Sequence, residues 1–188
     1  MLRLTPVQNN GNIHIKRRNL AIMISSDHYN LKVCCETHRE FYTRYCSQDK
    51  GVFTRLINED REYFKSLGED VDGIELDRDA LQYICTMGCN NVPVAHMGFN
   101  VPKDDVWYLY HAYTMKNYRN CGCFKALLEC ILESAKTFKV KQVVAHVDMT
   151  ADIMWGTLMS YGFKVNDGVQ VVTCTKDKTP CVELVLEV

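Results

Sequence analysis

The segment from residue 106 to residue 138 constrains the fold most. Residues 106–115 read Val-Trp-Tyr-Leu-Tyr-His-Ala-Tyr-Thr-Met, a long run of aromatic and β-branched residues that predicts a strand. A polar turn over 116–123 follows, carrying Arg119 and Gly122. Directly after it Phe124, Leu127, Leu128, Ile131, Leu132, Ala135 and Phe138 fall on one helical stripe. A strand that passes through a short turn into an amphipathic helix aims unpaired N–H groups, and the positive end of the helix dipole, at one spot. That spot suits a phosphate or pyrophosphate. Gly122 lets the main chain come close to an anion, and Arg119 either adds charge or braces the turn. One glycine before a helix also makes an ordinary connection, so the rest of the chain has to decide.

Around this segment the pattern predicts alternating element types. Residues 1–18 are polar, with Asn9, Asn10 and Gly11 as a turn, and read as an extension to a single domain over 19–188. Residues 20–24 are an apolar strand. From His28 the spacing of Leu31, Cys34, Cys35, His38, Phe41, Tyr42 and Tyr45 is helical. A second helix holds Phe53, Leu56, Ile57, Phe64 and Leu67 on one face and ends at Gly68. An acidic loop occupies 69–79, strands 81–89 and 92–99 flank Asn90 and Asn91, and 100–105 is a turn. After the helix at 124–138 come a strand at 142–149, a helix at 151–161 capped by Thr150, and strands at 168–175 and 181–188. The order predicts an α/β (α+β) fold: a mixed, mostly antiparallel central sheet flanked by helices.

Composition removes several classes of function. With 22 basic and 23 acidic residues the net charge is -1, which gives no footprint for nucleic acid or an anionic membrane. Lys16, Arg17 and Arg18 form only a short basic run. No apolar run is long enough to span a bilayer, and Arg3, Pro6 and Gln8 break up Leu2, Leu4 and Val7, so no signal-peptide pattern is expected in the opening residues. Ten cysteines sit within apolar periodic runs without the C-x2-C spacing of a zinc site. They read as buried free thiols of a cytoplasmic protein, and no metal is expected. The turn also lacks the Gly-x4-Gly-Lys-Ser/Thr run of a P-loop and the three glycines of a dinucleotide fingerprint.

The turn resembles motif A of the GNAT acetyltransferase superfamily, whose signature is Gln/Arg-x-x-Gly-x-Gly/Ala. Arg119 and Gly122 match it, and Phe124 departs from the final small residue. Thr114 stands where the superfamily usually has Val, and Lys116 where it often has Pro. Gly162 and Phe163 are similar to the Gly-Phe of motif B. The resemblance covers 81–188, and 20–67 by element order only. It implies acetyl-CoA as co-substrate. The pyrophosphate would lie on the amides of Asn120, Cys121, Gly122, Cys123, Phe124 and Lys125 beside Arg119. The pantetheine arm would lie along Tyr113, Thr114 and Met115.

The implied reaction is direct attack of an amine on the thioester, which needs a base for the amine's proton. Histidine has a suitable ordinary pKa. His146 stands where the ribosomal-protein acetyltransferases of the superfamily carry a catalytic Glu. His111, in the strand before the turn, alternates so as to face the same side as Tyr113. His96 reads as structural. The superfamily's acid tyrosine is replaced by Leu158, and its Asn at the start of that helix by Ala151. Tyr161, three residues on, is the substitute candidate. Acceptor specificity falls to the early helices and last loop: Tyr29, His38, Phe41, Tyr42, Tyr45, Phe64 and the acidic stretch 69–79. These favour a small amine over a peptide or protein amine, with a homodimer left open. The alternative is a non-catalytic CoA-binding or protein-interaction module on the same fold.

Overall fold

The computed structural model describes residues 7–9, 12–14, 22–26, 29–47, 50–68, 81–88, 90–103, 105–149, 151–167, 172–173 and 180–188. Strands β1 (Val7–Asn9) and β2 (Asn12–His14) pair antiparallel, and the expected turn at Asn10 and Gly11 lies outside the described residues. Then come β3 (Ile22–Ser26), β4 (Tyr29–Thr37), α1 (His38–Ser47) and α2 (Thr54–Ser66). Strands β5 (Leu81–Met87), β6 (Val92–Lys103) and β7 (Val106–Thr114) follow in series. The chain continues through α3 (Cys123–Thr137), β8 (Gln142–Asp148) and α4 (Asp152–Ser160). It finishes with β9 (Lys164–Val165), β10 (Val172–Thr173) and β11 (Pro180–Glu187).

Among the described residues nine strands form one sheet in the order β10-β11-β8-β7-β6-β5-β4-β3, with β9 also paired to β11. Every pairing is antiparallel except β7 with β8, which α3 connects. Helices cover both faces. On one, Leu127, Leu128, Ile131 and Ala135 of α3 and Leu158 of α4 pack on Val33, Met97, Phe99, Trp107, Val143 and Ala145. On the other, Phe41 and Tyr45 of α1 and Ile57 of α2 pack on Ile84, while Leu56 covers Tyr113 and Met115. Among the described residues no helix is long and apolar enough to cross a membrane.

The expected helix from His28 is corrected. Residues 29–37 are strand β4, and the helix starts at His38. Apolar residues at 31, 34, 35 and 38 satisfy a helical period, but Leu31 and Val33 also satisfy a period of two, and both are buried. Pairing with β5, from Leu31↔Met87 to Thr37↔Leu81, selects the strand. A capping box fixes the helix start: Glu40 N–H donates to Thr37 Oγ1 at 3.3 Å, and Thr37 N–H to Glu40 Oε2 at 3.2 Å.

Smaller corrections follow from pairing as well. Strand β6 runs on to Lys103 through the expected 100–105 turn, because Asn100 and Lys103 pair with Tyr108 and Val106. Leu67, expected on the buried face of α2, is 39% exposed. Cys34, Cys35, Cys46, Cys85, Cys121, Cys123 and Cys130 are free thiols, whereas Cys181 is disulfide-bonded. The acidic stretch 69–79 and the side chains of Tyr29, His38 and Tyr42 lie outside the described residues.

Candidate functional site

The site begins where two neighbouring strands stop pairing. The parallel β7–β8 ladder runs from Val106↔Gln142 to Leu109↔Ala145 and has no further pair among the described residues. Yet β7 continues to Thr114 and β8 to Asp148. The cause is a bulge in β7. The β6–β7 register shifts between Gly98↔Tyr110 and His96↔Tyr113, and the extra residue falls at His111, which adopts φ +45°. A bulge bends its strand and increases the twist, so β7 leaves its partner here. It also leaves Tyr110 and His111 both on the α1–α2 face. Tyr110 crosses Gly98 so closely that a Cβ there would meet its ring at 2.7 Å. His111 lies against Tyr45 and Phe64, at ring distances of 5.4 and 5.1 Å.

The turn after β7 is open. Asn120 (φ +63°) and Gly122 (φ +80°) are both left-handed, and Gly122 is the N-cap of α3. The first helical bond runs from Ala126 N–H to Gly122 O at 2.9 Å, and no side chain caps the helix. The amides of Cys123, Phe124 and Lys125 are therefore the unpaired first turn of the helix. A Cβ on Gly122 would meet nothing within 4 Å, so the space beside it is open. Arg119 braces the turn rather than reaching into it. Its Nε donates to Thr114 O at 3.2 Å, and its guanidinium lies 5.9 Å from the ring centres of Tyr63 and Tyr113. Cys121 and Phe124 pack on the core, Cys123 is buried, and Asn120 and Lys125 are exposed. Tyr113 and Met115 are buried beneath Leu56, so what they offer along the strand edge is main chain.

Two adjacent carboxylates of α2 hold this region. Glu59 Oε1 accepts from the Tyr113 hydroxyl at 3.1 Å and from the Lys116 N–H. Burial and then Glu59 push the Tyr113 hydroxyl up to about 12. Asp60 Oδ2 contacts His96 Nε2 at 2.8 Å and His111 Nε2 at 3.2 Å. Burial works against the Asp60 charge, but the two imidazoles outweigh it and bring its pKa down to about 2. His96 is fully buried, and that burial, opposed by Asp60, lowers its pKa. The pair is therefore a carboxylate and a neutral imidazole. His96 Nδ1 in turn lies 2.6 Å from Gln82 Nε2.

The remaining candidates fall in two places. His146, on the part of β8 that no longer pairs with β7, has Nε2 3.0 Å from Glu183 Oε2 and its ring 6.1 Å from that of Tyr108. It lies across the strand parting from His111 on the same sheet face. Tyr161 packs on the opposite face with α3, where its hydroxyl donates to Glu129 Oε1 at 2.6 Å. Burial and then Glu129 hold that hydroxyl above its ordinary range. Leu158 is buried in the core.

Glu59, Asp60 and Gln82 were not legible as site residues from spacing alone. One signal was present for Asp60. It falls on the apolar stripe of its helix, three residues after Ile57 and four before Phe64, and a carboxylate on such a stripe must find a buried partner.

Comparisons with known proteins bear on the fold and the family. Among curated proteins none matches the sequence. Several solved structures share the fold. The ribosomal-protein-S18-alanine N-acetyltransferase of Escherichia coli superposes with a TM-score of 0.58 at 14% identity, over 84% of this chain and 93% of that one. An acyl-CoA N-acyltransferase of Pseudomonas aeruginosa gives 0.58 at 16% identity, over 82% and 98%. The IAA acetyltransferase of Bacillus cereus gives 0.56 at 9% identity, over 84% and 99%. The sequence profile described as Acetyltransferase (GNAT) family matches residues 39–163, which take in α1, α2, the parting strands, the open turn and the Gly162-Phe163 pair. The chain therefore belongs to the GNAT acetyltransferase family, the acyl-CoA-dependent N-acyltransferases.

Proposed function

We propose that this protein transfers an acetyl group from acetyl-CoA to a small primary amine by direct attack, with His111 as general base. The observation that carries the reading is the open turn at Gly122 beside the unpaired ends of β7 and β8. The diphosphate would rest on the amides from Asn120 to Lys125, and the pantetheine would extend the sheet along the edge that β7 presents up to Met115. That edge leads to His111, on the face that α1 and α2 cover. Rings of Tyr45 and Phe64 crowd His111 and leave only 13% of its side chain exposed, which favours a compact amine over a folded protein surface. His111 takes the ammonium proton, the amine attacks the thioester carbon, and the C–S bond breaks. An unperturbed thiol has a pKa of about 8.5, so coenzyme A departs as thiolate without an acid and takes up the second proton that the nitrogen loses as the amide forms. Leu158 supplies none, and Tyr161 is held by Glu129.

His146 is the second reading for the base, supported by its partner Glu183 and its place on the same face. Thiol release from acetyl-CoA across an amine panel separates the two. His111→Ala is expected to lower kcat/KM by about 100- to 10,000-fold, the usual contribution of a positioned base, and His146→Ala by much less. The reverse order moves the base to His146. Acetyl-CoA is also expected to raise the melting temperature by mass action, and Gly122→Asp to abolish that rise. No rise at millimolar acetyl-CoA sinks the proposal. A rise without turnover on any amine favours the non-catalytic module.

A further inference from the structure

We propose that Asp60 is a positioning residue for the transfer. Its carboxylate accepts the Nε2–H of His111 and so holds that ring in one tautomer, which leaves Nδ1 as the nitrogen that takes the acceptor's proton. The inference rests on the assignment of His111 as base and adds a device that neither the turn nor the strand parting requires.

A lone imidazole in water exchanges between two neutral tautomers, and only one presents a given nitrogen as acceptor. Here the choice is made by geometry. Asp60 has no exposed surface, and its Oδ2 lies 3.2 Å from His111 Nε2. An ionised carboxylate can only accept, so Nε2 must carry the proton. Among the described residues Nδ1 of His111 has no hydrogen-bond partner. Burial of Asp60 also excludes water, which makes the bond stronger than it would be at a surface. Ionisation is maintained because the same Oδ2 is 2.8 Å from a second imidazole, His96, itself braced by Gln82 at 2.6 Å. His96 and Gln82 sit on β6 and β5, Asp60 on α2 and His111 on the β7 bulge. The chain of contacts thus locks the bulge to the helix that covers it. The rings of His96 and His111 meet edge to face, 4.9 Å apart at 84°, which fixes the second ring's plane as well as its proton.

The same three side chains place their donor atoms within 4.8 Å of one another, a spacing that a divalent cation could also exploit. The hydrogen-bonded arrangement is favoured because both ring nitrogens converge on one oxygen at hydrogen-bond distances and need no further ligand.

The test uses full-length protein with nitrogen-15-labelled histidine, wild type and Asp60→Asn. It combines two-bond nitrogen–proton correlation spectra with steady-state kinetics on the amine that the panel identifies. In the wild type His111 is expected to be protonated on Nε2 and bare on Nδ1. In Asp60→Asn the tautomers should mix and kcat should fall by about 100- to 10,000-fold, the scale on which a misplaced tautomer acts. KM for acetyl-CoA should stay unchanged. A wild-type His111 protonated on Nδ1 overturns the proposal, and this readout stands even if the variant fails to fold. An unaltered kcat in Asp60→Asn, in an enzyme that His111→Ala inactivates, overturns the positioning role alone. Turnover retained in His111→Ala strikes the base assignment, and the proposal with it. Stabilisation by zinc chloride in wild type but not in Asp60→Asn, with loss of the Nε2 proton from both rings, would show a cation site in its place.

Discussion

At the scale of single residues, glycine marks two points where a side chain cannot stand, for different reasons. Gly122 needs its positive φ to open the turn, and the space beyond it is empty. Gly98 has ordinary dihedrals but lies under Tyr110, with Gln82 Oε1 2.8 Å from where a Cβ would sit. Gly98→Ala is expected to destabilise the fold by about 1–3 kcal/mol, the usual penalty for overpacking, as read by urea denaturation. Gly122 was legible in the sequence because it precedes a helix after a strand. Gly98 was not, because its neighbour comes from another strand. The same holds for His111. Its period in β7 gave the correct face, but nothing local announced the bulge that places it beside Asp60.

At the scale of elements, α1 shows how a short motif outweighs periodicity. The spacing of Leu31, Cys34, Cys35 and His38 predicts a helix that is not there, while Thr37 and Glu40 state where the helix begins. Thr37→Ala is expected to cost about 1 kcal/mol, the typical worth of an N-cap, and to fray α1 first in amide hydrogen exchange. Helix α3 shows the opposite case. Its stripe predicted the buried face, and Leu127 and Leu128 are in the core. Leu128→Ala should cost about 2–5 kcal/mol, measurable in the same denaturation assay. Helix α2 lies between these cases. Its apolar face was readable, but the roles of Glu59 and Asp60 were not, since the groups they hold are more than 30 residues away in sequence.

At the scale of the whole molecule, the buried Asp60–His96 pair ties global stability to pH. His96 has a folded pKa below its ordinary value, so its contribution is present above about pH 6.5 and is lost as the pH falls below that. Asp60 is also depressed, to about 2. Its contribution is present above the ordinary carboxylate value of about 3.9 and disappears as the pH falls through the folded one. The melting temperature should therefore decline in two stages on acidification, and His96→Gln should flatten the first. A melting temperature independent of pH between 7 and 5 would show that His96 is not held neutral. The sequence by itself determined the alternation of strands and helices, the open turn at Gly122 and the family, because those features depend on residues that are neighbours in the chain. Only the tertiary structure decided that β4 is a strand, that β7 bulges away from β8, and that Asp60 meets His96 and His111. Each of these depends on pairing between distant segments, where burial and hydrogen-bond partners override local preference.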